Sequence, residues 1–318
     1  MNTLRNIFFA LFVLIVTLAG CKKDSETTGL GTINSGIQLK NGYLFFKDTA
    51  TFNQHLDWIR QNEINPELIY EFNRKFGFIS FSEVYYEGMR INEPDNFDEY
   101  RAKNPDCFKR IILDDNSVFW EMPMASLLSH LVNKGGVFQI GETIYRLTEE
   151  FNFSTKNVEK LDIIMNTTLA LNDSDIVYTF TNLSSTKGMY SYRTVYFPSW
   201  SDRRIVARLY VNNFDGMNYY EGRTTSQQQH WSGAWVQAKI HTIIQANNQG
   251  YYQEGASYPR ITIPSNYDEV ENAADFIRTI LLTTHDVDFG YSSCQIHHKG
   301  IRYGEVAEIE KNEMFPKN

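Results

Sequence analysis

The sequence predicts an α+β fold: a small N-terminal α+β module followed by an antiparallel β-sandwich or barrel-like C-terminal half. Segments with helical spacing of apolar residues concentrate in the first half, while short strand-like segments separated by turn residues fill the second. No strand–helix–strand rhythm typical of a parallel sheet runs through the chain. The 318 residues are 42% hydrophobic and 21% charged, which supports a core and excludes a polytopic membrane protein and a disordered chain.

Local signals place helices and a loop in the first half of the chain. Asp48 is a suitable N-cap for a helix over residues 49–61. Pro66 suits the first turn of a second helix that ends near Gly77. The polar segment 93–106 has prolines at both ends and no apolar periodicity, so we expect a loop there.

A β-hairpin is the clearest local prediction. The apolar segments 137–140 and 143–147 flank Gly141-Glu142, and a two-residue connection with glycine first is typical of a type II′ turn. A helix over residues 125–131 is predicted before it.

The second half contains the strand candidates. Residues 205–211 and 234–244 are the longest of them, and shorter strands are predicted near Leu281 and Ile301. The segment 268–278 interrupts this pattern and predicts a helix. Several strands with turn residues between them favour the antiparallel sandwich or barrel.

The N-terminus predicts a targeting segment. Arg5 precedes an apolar stretch that is too short to span a bilayer as a helix, and Leu18-Ala19-Gly20-Cys21 follows it. This tetrapeptide resembles the bacterial lipobox, which implies cleavage before Cys21 and acylation of that cysteine, with palmitate among the chains. Diacyl anchoring at Cys21 then holds the protein on a membrane. The alternative is a secretory signal with an incidental cysteine.

The residues after Cys21 bear on location. The segment 22–26 has two lysines followed by Asp24 and Glu26, and it resembles the short export signal by which Bacteroidetes-type bacteria send lipoproteins to the outer face. A solvated charge cluster is the alternative, so the periplasmic and extracellular faces both stay open. We expect a lipid-anchored protein of the bacterial outer membrane.

These signals divide the chain into five parts. They are a lipoprotein signal peptide (1–20), a flexible tether (21–36), an N-terminal α+β module (37–158), a connecting region (159–195) and a C-terminal β-rich domain (196–318).

The charge balance excludes one class of partner. The formal charge of −8 becomes −9 when Arg5 leaves with the signal peptide. Phosphate backbones need a basic surface, so we expect no nucleic-acid partner.

Two further stretches carry a family resemblance. The segment 133–148, with Gln-Ile-Gly-Glu-Thr-Ile-Tyr at its centre, resembles a signature that recurs in uncharacterised surface lipoproteins of Bacteroidetes-type bacteria. The strand at 203–211, followed later by Gly233-Ala234-Trp235, resembles their C-terminal half. The resemblance implies a fold and a location but no activity, because this family has no assigned function.

Two cysteines remain once Cys21 is acylated. An oxidising envelope permits a disulfide between Cys107 and Cys294, and two unpaired buried thiols are the alternative.

A set of metal-ligand types lies near the C-terminus. His285, Cys294 and His297 supply imidazole and thiolate groups that suit zinc or copper. The alternative is a hairpin whose polar residues face water. Hydrolytic motifs, phosphate loops and cysteine pairs with metal spacing do not occur, so we predict no cofactor and favour a protein without catalytic activity.

Aromatic residues make up 14% of the chain and offer the remaining candidates. Trp231 follows a glutamine-rich turn, and Tyr251 and Tyr252 lie beside Gly250, so all three are predicted to lie in loops and are the surface rings expected to contact a ligand. Trp235 begins an apolar strand and is assigned to the core.

Three hypotheses follow. The first is a tethered, non-enzymatic lipoprotein that binds a glycan or a protein partner. The alternatives are a structural or assembly lipoprotein, and a metal-dependent envelope hydrolase centred on His285, Cys294 and His297.

Overall fold

The strands form three sheets and a two-stranded hairpin in the part of the chain that the structure describes. The computed structural model describes residues 36–113, 115–124, 126–180, 191–252, 257, 259–285, 287–288 and 295–310. The predicted α+β class, with a sandwich-like C-terminal half, is confirmed. The described residues from 38 onward form one compact unit. The signal peptide, Cys21 and nearly all of the tether lie outside the described residues, and the five-part division stays a prediction.

The α-helices of the described residues all lie between residues 49 and 171. They are α1 (Thr49–Gln61), α2 (Pro66–Arg74), α3 (Phe81–Met89), α4 (Pro94–Lys103), α5 (Ser126–Ser129), α6 (Leu161–Ile164) and α7 (Thr167–Leu171). Within the part of the chain described, none is long and apolar enough to cross a bilayer.

The strands of the first half are short, and those of the second half are long. They are β1 (Ile37–Lys40), β2 (Tyr43–Phe46), β3 (Lys109–Ile112), β4 (Val118–Glu121), β5 (Val137–Ile140), β6 (Thr143–Leu147), β7 (Phe151–Thr155), β8 (Val177–Phe180), β9 (Ser191–Phe197), β10 (Trp200–Phe214), β11 (Met217–Gln229), β12 (Trp235–Gln237), β13 (Ile240–Tyr252), β14 (Arg260–Ala273), β15 (Asp275–Thr283), β16 (Val287–Asp288), β17 (Gln295–Arg302) and β18 (Glu305–Glu310).

Helix α1 packs on a six-stranded sheet of order β1-β2-β5-β6-β7-β8. The Asp48 side chain accepts a 2.8 Å hydrogen bond from the Thr51 backbone N–H, which confirms the predicted N-cap. Phe52 of α1 stacks on Phe138 of β5, with ring centres 5.6 Å apart. Phe214, at the end of β10, joins this cluster 5.6 Å from Phe138, so the second half of the chain contributes to the core of the first.

The predicted hairpin β5–β6 is confirmed. Ile140 pairs with Thr143 across the two-residue connection, and Gly141 has a φ of 55°. Positive φ at the first connecting residue is the conformation that a type II′ turn requires, which explains why glycine is there.

The predicted loop at 93–106 is wrong, because the segment forms helix α4. It has no buried residue, so an amphipathic pattern is absent from the sequence. Pro94 begins the helix at its favoured first position. Lys103 pairs with Glu99 one turn earlier at 2.6 Å, which stabilises the solvated helix.

The predicted helix at 268–278 is also wrong. Strand β14 continues to Ala273 and β15 begins at Asp275, so the segment is a tight hairpin. Strand β15 pairs along β11, and β-branched and aromatic residues such as Ile277 and Phe276 are favoured in a strand of this kind.

Two antiparallel sheets form the sandwich. One has the order β12-β11-β10-β9, with β15 also paired to β11, and the other has the order β14-β13-β17-β18, with β16 paired to β13. The apolar side chains of β10 that lie between the sheets include Ile205, Ala207, Leu209 and Val211, which are fully or almost fully buried.

The opposite face of β10 and β11 is polar and lies against the first half of the chain. Arg204, Arg208 and Arg223 on this face are almost completely buried. Arg208 pairs with Glu121 of β4, and Arg223 pairs with Asp275 of β15. Buried charges are tolerated only when they are paired, so the Arg208–Glu121 pair fixes how β3–β4 lies on the sandwich.

Candidate functional site

A cleft of about 780 Å³ opens where α4 and the β3–β4 hairpin meet the β9–β12 sheet. Its walls combine aromatic rings with amide and charged side chains drawn from both halves of the chain. Its lining includes Phe97, Arg101, Arg110, Asp115, Trp120, Tyr196, Gln227 and Trp235. Concave sites of this size with a few convergent polar groups are typical of ligand-binding clefts.

Trp235 forms one wall and is held from behind. The Arg204 guanidinium carbon lies 3.9 Å from the centre of the Trp235 ring. The Tyr196 ring meets Trp235 edge-on, with centres 6.0 Å apart. Trp235 is half-buried rather than in the core, so its assignment to the core is wrong. Strand β12 has only three residues, too few for alternation to reveal its outer face.

Four hydrogen bonds fix the guanidinium group of Arg204. Its Nε and Nη2 donate to the Gln227 Oε1 at 3.0 and 2.9 Å. Its Nη1 donates to the Asp115 Oδ2 and to the Ser117 Oγ, both at 2.7 Å. A guanidinium with four such bonds is rigid, and it therefore fixes the plane of Trp235 above it.

Asp115 is the anion at this end of the cleft. It accepts a 2.6 Å hydrogen bond from the Tyr196 hydroxyl in addition to those from Arg204 and Ser117. Burial alone raises the pKa of Asp115, but the hydrogen bonds from Ser117 and Tyr196 and the charge of Arg204 outweigh it and lower the pKa to about 2. Asp115 is therefore ionised throughout the neutral range.

Trp120 forms a second aromatic wall. The Arg101 guanidinium carbon lies 4.2 Å from the Trp120 ring centre, and Phe97 meets the ring edge-on at 6.1 Å. Both partners belong to α4, the helix that periodicity does not predict. Two half-buried indoles, each with a guanidinium on one face, thus line one cleft.

Trp231 stands at the rim of this cleft. It is 90% exposed, which confirms the predicted exposure, and Gly233 and Ala234 next to it line the cleft. The turn is closed by hydrogen bonds from the His230 N–H to the Ala234 carbonyl at 2.7 Å and from the Gly233 N–H to the His230 carbonyl at 2.8 Å. A ligand role for Trp231 stays a prediction.

The other two predicted rings are not in a loop. Tyr251 and Tyr252 belong to β13, where they pair with Asp288 and Val287 of β16. Gly250 does not end the strand, because β14 and β16 continue the pairing on both sides of it. The side chains of both tyrosines lie outside the described part of the structure.

The predicted metal residues are only partly described. Cys294 lies outside the described residues, and His285 is exposed after β15. His297 lies on β17, where its Nδ1 is 3.0 Å from the Glu308 Oε1 of β18. Among the described residues, the ligand atoms that come together are those of His297, Glu308 and Glu310, a set without His285.

Cys107 is buried at the end of the 3₁₀ turn Pro105–Cys107 and forms no disulfide with any described residue. Burial raises the pKa of this thiol to about 12, so it is protonated and unreactive at neutral pH. Because Cys294 is outside the described residues, the disulfide stays a prediction.

Comparisons with known proteins leave the family open. No protein-family model matches the chain, and no curated protein sequence matches it. The crystal structure of a DUF4848 family protein from Bacteroides thetaiotaomicron is similar over 86% of this chain and 99% of its own length, at 14% identity and a TM-score of 0.31. A TM-score this low establishes neither a shared fold nor a shared function.

Sequence reasoning missed the site because its parts are distant in the chain. Trp120, Tyr196 and Trp235 come from three strands, and Asp115 has the spacing of an ordinary turn residue. Asp115 does close the β3–β4 turn, by accepting from the Ser117 N–H at 3.0 Å. Alternation in β4, with Phe119 buried and Trp120 half-buried, is the one signal that could have identified an outward indole.

Proposed function

We propose that this protein is a lipid-anchored cell-envelope protein that binds a glycan in the cleft between α4 and the β9–β12 sheet. The observation that carries the proposal is the pair of indoles, Trp120 and Trp235, each held by a guanidinium at the wall of one cleft. The anchor at Cys21 and the outer-membrane location rest on the lipobox-like sequence alone.

Sugar rings present C–H groups on their faces and hydroxyl groups at their edges. The electron-rich face of an indole attracts the C–H groups, and it provides a large apolar contact with few rotatable bonds. Because the guanidinium groups of Arg101 and Arg204 fix the two rings, binding costs little side-chain entropy.

The polar wall of the cleft supplies groups for the hydroxyls. Asn116, Gln229 and Gln237 line the cleft beside the rings. Amide side chains both donate and accept, which suits a hydroxyl that does the same. A wall of this composition favours a neutral or mixed polar ligand over a purely apolar one.

A glycan array with the purified full-length protein tests the proposal. We expect binding to a subset of glycans, and loss of that binding in Trp235→Ala. Trp58→Ala is the matched control, because Trp58 is a half-buried indole that packs on His55 in α1 and does not line the cleft. A well-folded protein that binds no glycan, or equal loss in both variants, would contradict it.

A further inference from the structure

We infer that the outer face of the β17–β18 hairpin holds a binding site for one divalent transition-metal ion of the Zn²⁺ class. The ligands are the His297 imidazole and the Glu308 and Glu310 carboxylates. This site is independent of the glycan cleft, whose walls contain none of these residues.

The strand register brings the three side chains together. His297 pairs directly with Glu310, and Glu308 pairs with Lys299 two residues along β17. Since alternate residues of a strand share a face, all four side chains lie on one face of the hairpin. Ile296 and other neighbours on the opposite face are buried in the sandwich core, so the hairpin is firmly held.

The distances suit a metal with short bonds. The Nδ1 of His297 is 3.0 Å from the Glu308 Oε1 and 3.9 Å from the Glu310 Oε1, and all three ligand atoms lie within 4.8 Å of one another. Tetrahedral Zn²⁺ with bonds of about 2.1 Å places its ligand atoms about 3.4 Å apart. The observed separations bracket this value, so small side-chain rotations complete the coordination.

The donor types select the class of ion. Imidazole nitrogen is a poor ligand for Mg²⁺ and Ca²⁺ but a common one for Zn²⁺, and carboxylates bind Zn²⁺ as well. Three protein ligands leave a coordination position for water. The two carboxylates attract a cation, and the half-exposed position of His297 leaves the ion a path from solvent.

Lys299 is the internal competitor for the ion. Its Nζ lies 2.8 Å from the Glu308 Oε1, the same oxygen that faces His297. A bound metal must share or displace this ammonium group, because both cations draw on one carboxylate. Removal of the Lys299 charge is therefore expected to strengthen metal binding.

The test is calorimetric titration of the tag-free full-length protein with ZnCl₂ at neutral pH. We expect one high-affinity Zn²⁺ per chain, at least a hundredfold weaker binding in His297→Ala, at least a tenfold weakening in Glu310→Gln and a severalfold strengthening in Lys299→Met. Visible absorption with Co²⁺ in place of Zn²⁺ should show ligand-field bands that disappear in His297→Ala. Circular dichroism of each variant separates loss of the site from loss of the fold.

His241→Ala is the matched control. His241 faces Glu269 across β13–β14, with 3.4 Å between its Nε2 and the carboxylate, but it lies in no group of three ligands among the described residues. Its substitution should leave the high-affinity binding unchanged. Absence of high-affinity Zn²⁺ binding, binding that survives His297→Ala, or equal loss in His241→Ala would overturn the assignment.

Discussion

Arg204 lies directly behind Trp235, with its guanidinium carbon 3.9 Å from the centre of the indole ring and its Nη1 2.7 Å from the Asp115 carboxylate. One buried cation therefore joins the turn of the β3–β4 hairpin to the aromatic wall contributed by β12. The stability of the fold and the shape of the cleft depend on the same side chain.

Substitution of Arg204 should destabilise the fold measurably. Arg204→Met leaves the buried Gln227 Oε1 without the two N–H groups that donate to it, so we expect the free energy of unfolding in urea to fall by about 1–3 kcal/mol. Arg101→Met is the control, because its pair with Asp98 is partly exposed and is worth less than about 1 kcal/mol. Equal losses in the two variants would show that Arg204 does not tie the two elements together.

Substitutions of Arg223 and Asp275 should have strongly non-additive effects on the free energy of unfolding. Both side chains are almost fully buried, and the Arg223 Nη2 also donates to the Tyr85 hydroxyl at 2.7 Å. Asp275→Ala leaves the guanidinium uncompensated and should cost about 3–5 kcal/mol in urea unfolding. The double variant Arg223→Met/Asp275→Leu should recover most of that loss, whereas a double variant as unstable as the single one would contradict a dominant charge penalty.

Stability should fall in mild acid because three histidines are buried as neutral rings. Burial lowers the pKa values of His55, His130 and His298 to about 3, below the ordinary value of 6.5. The unfolded chain binds these protons first, so the stabilisation present above pH 6.5 is lost as pH falls toward 3. Each ring lowers the free energy of unfolding by about 1.4 kcal/mol for each pH unit below 6.5 in that window.

The contribution of Glu63 to the pH dependence of stability has the opposite sign. Burial and the charge of Glu221 raise the pKa of Glu63 to about 7, so the folded state binds its proton first and gains stability as pH falls from 7 to 4.5. Three histidines outweigh one carboxyl, and urea unfolding at a series of pH values should show a net loss from pH 6.5 to 4.5.

His55→Phe isolates one of these rings. His55 stacks on Trp58, 5.4 Å away, and among the described residues neither of its ring nitrogens has a hydrogen-bond partner. A phenyl ring keeps the stacking and cannot be protonated. The free energy of unfolding of the variant should therefore depend less steeply on pH, by the contribution of one proton, with little loss of stability at pH 7. An unchanged slope would refute the assignment of acid sensitivity to His55.

Close approach of the two sandwich sheets should make Gly300 intolerant of a methyl group. A Cβ at this position would lie 2.6 Å from the Ile240 Cδ1 and 2.7 Å from the Ile205 Cγ2. Gly300→Ala should therefore lower the free energy of unfolding by about 1–3 kcal/mol. Gly222→Ala is the graded comparison, because its nearest contact would be 3.0 Å, and it should cost less; the reverse order would contradict the packing described.

The sequence predicts those elements whose signals are local. Asp48 caps α1 and Gly141 sets the β5–β6 turn, and both features are confirmed because each depends on a few neighbouring residues. Helix α4 is invisible to periodicity, since it buries nothing. Phe276, Ile277, Ile280 and Leu281 have helical spacing, yet burial on both sides of β15 produces the same pattern in a strand.

The site depends on long-range contacts that composition and spacing do not encode. Trp231 stands out in the sequence because it follows a turn, and it is indeed exposed. Trp120 and Trp235 gain their significance only from the guanidinium groups of Arg101 and Arg204, which reach them in the folded chain. His297 was predicted with His285 and Cys294, but register across β17–β18 brings it to Glu308 and Glu310.

The central claim is that the cleft, and not the Trp231 turn, binds the glycan. Calorimetric titration of a glycan selected on the array, with Trp120→Ala, Trp235→Ala and Trp231→Ala, tests it most directly. A stacked aromatic contact is worth about 1–3 kcal/mol, so each cleft variant should weaken binding roughly fivefold or more, and Trp231→Ala less than about threefold. Full affinity in both cleft variants, with binding lost in Trp231→Ala, would contradict the account.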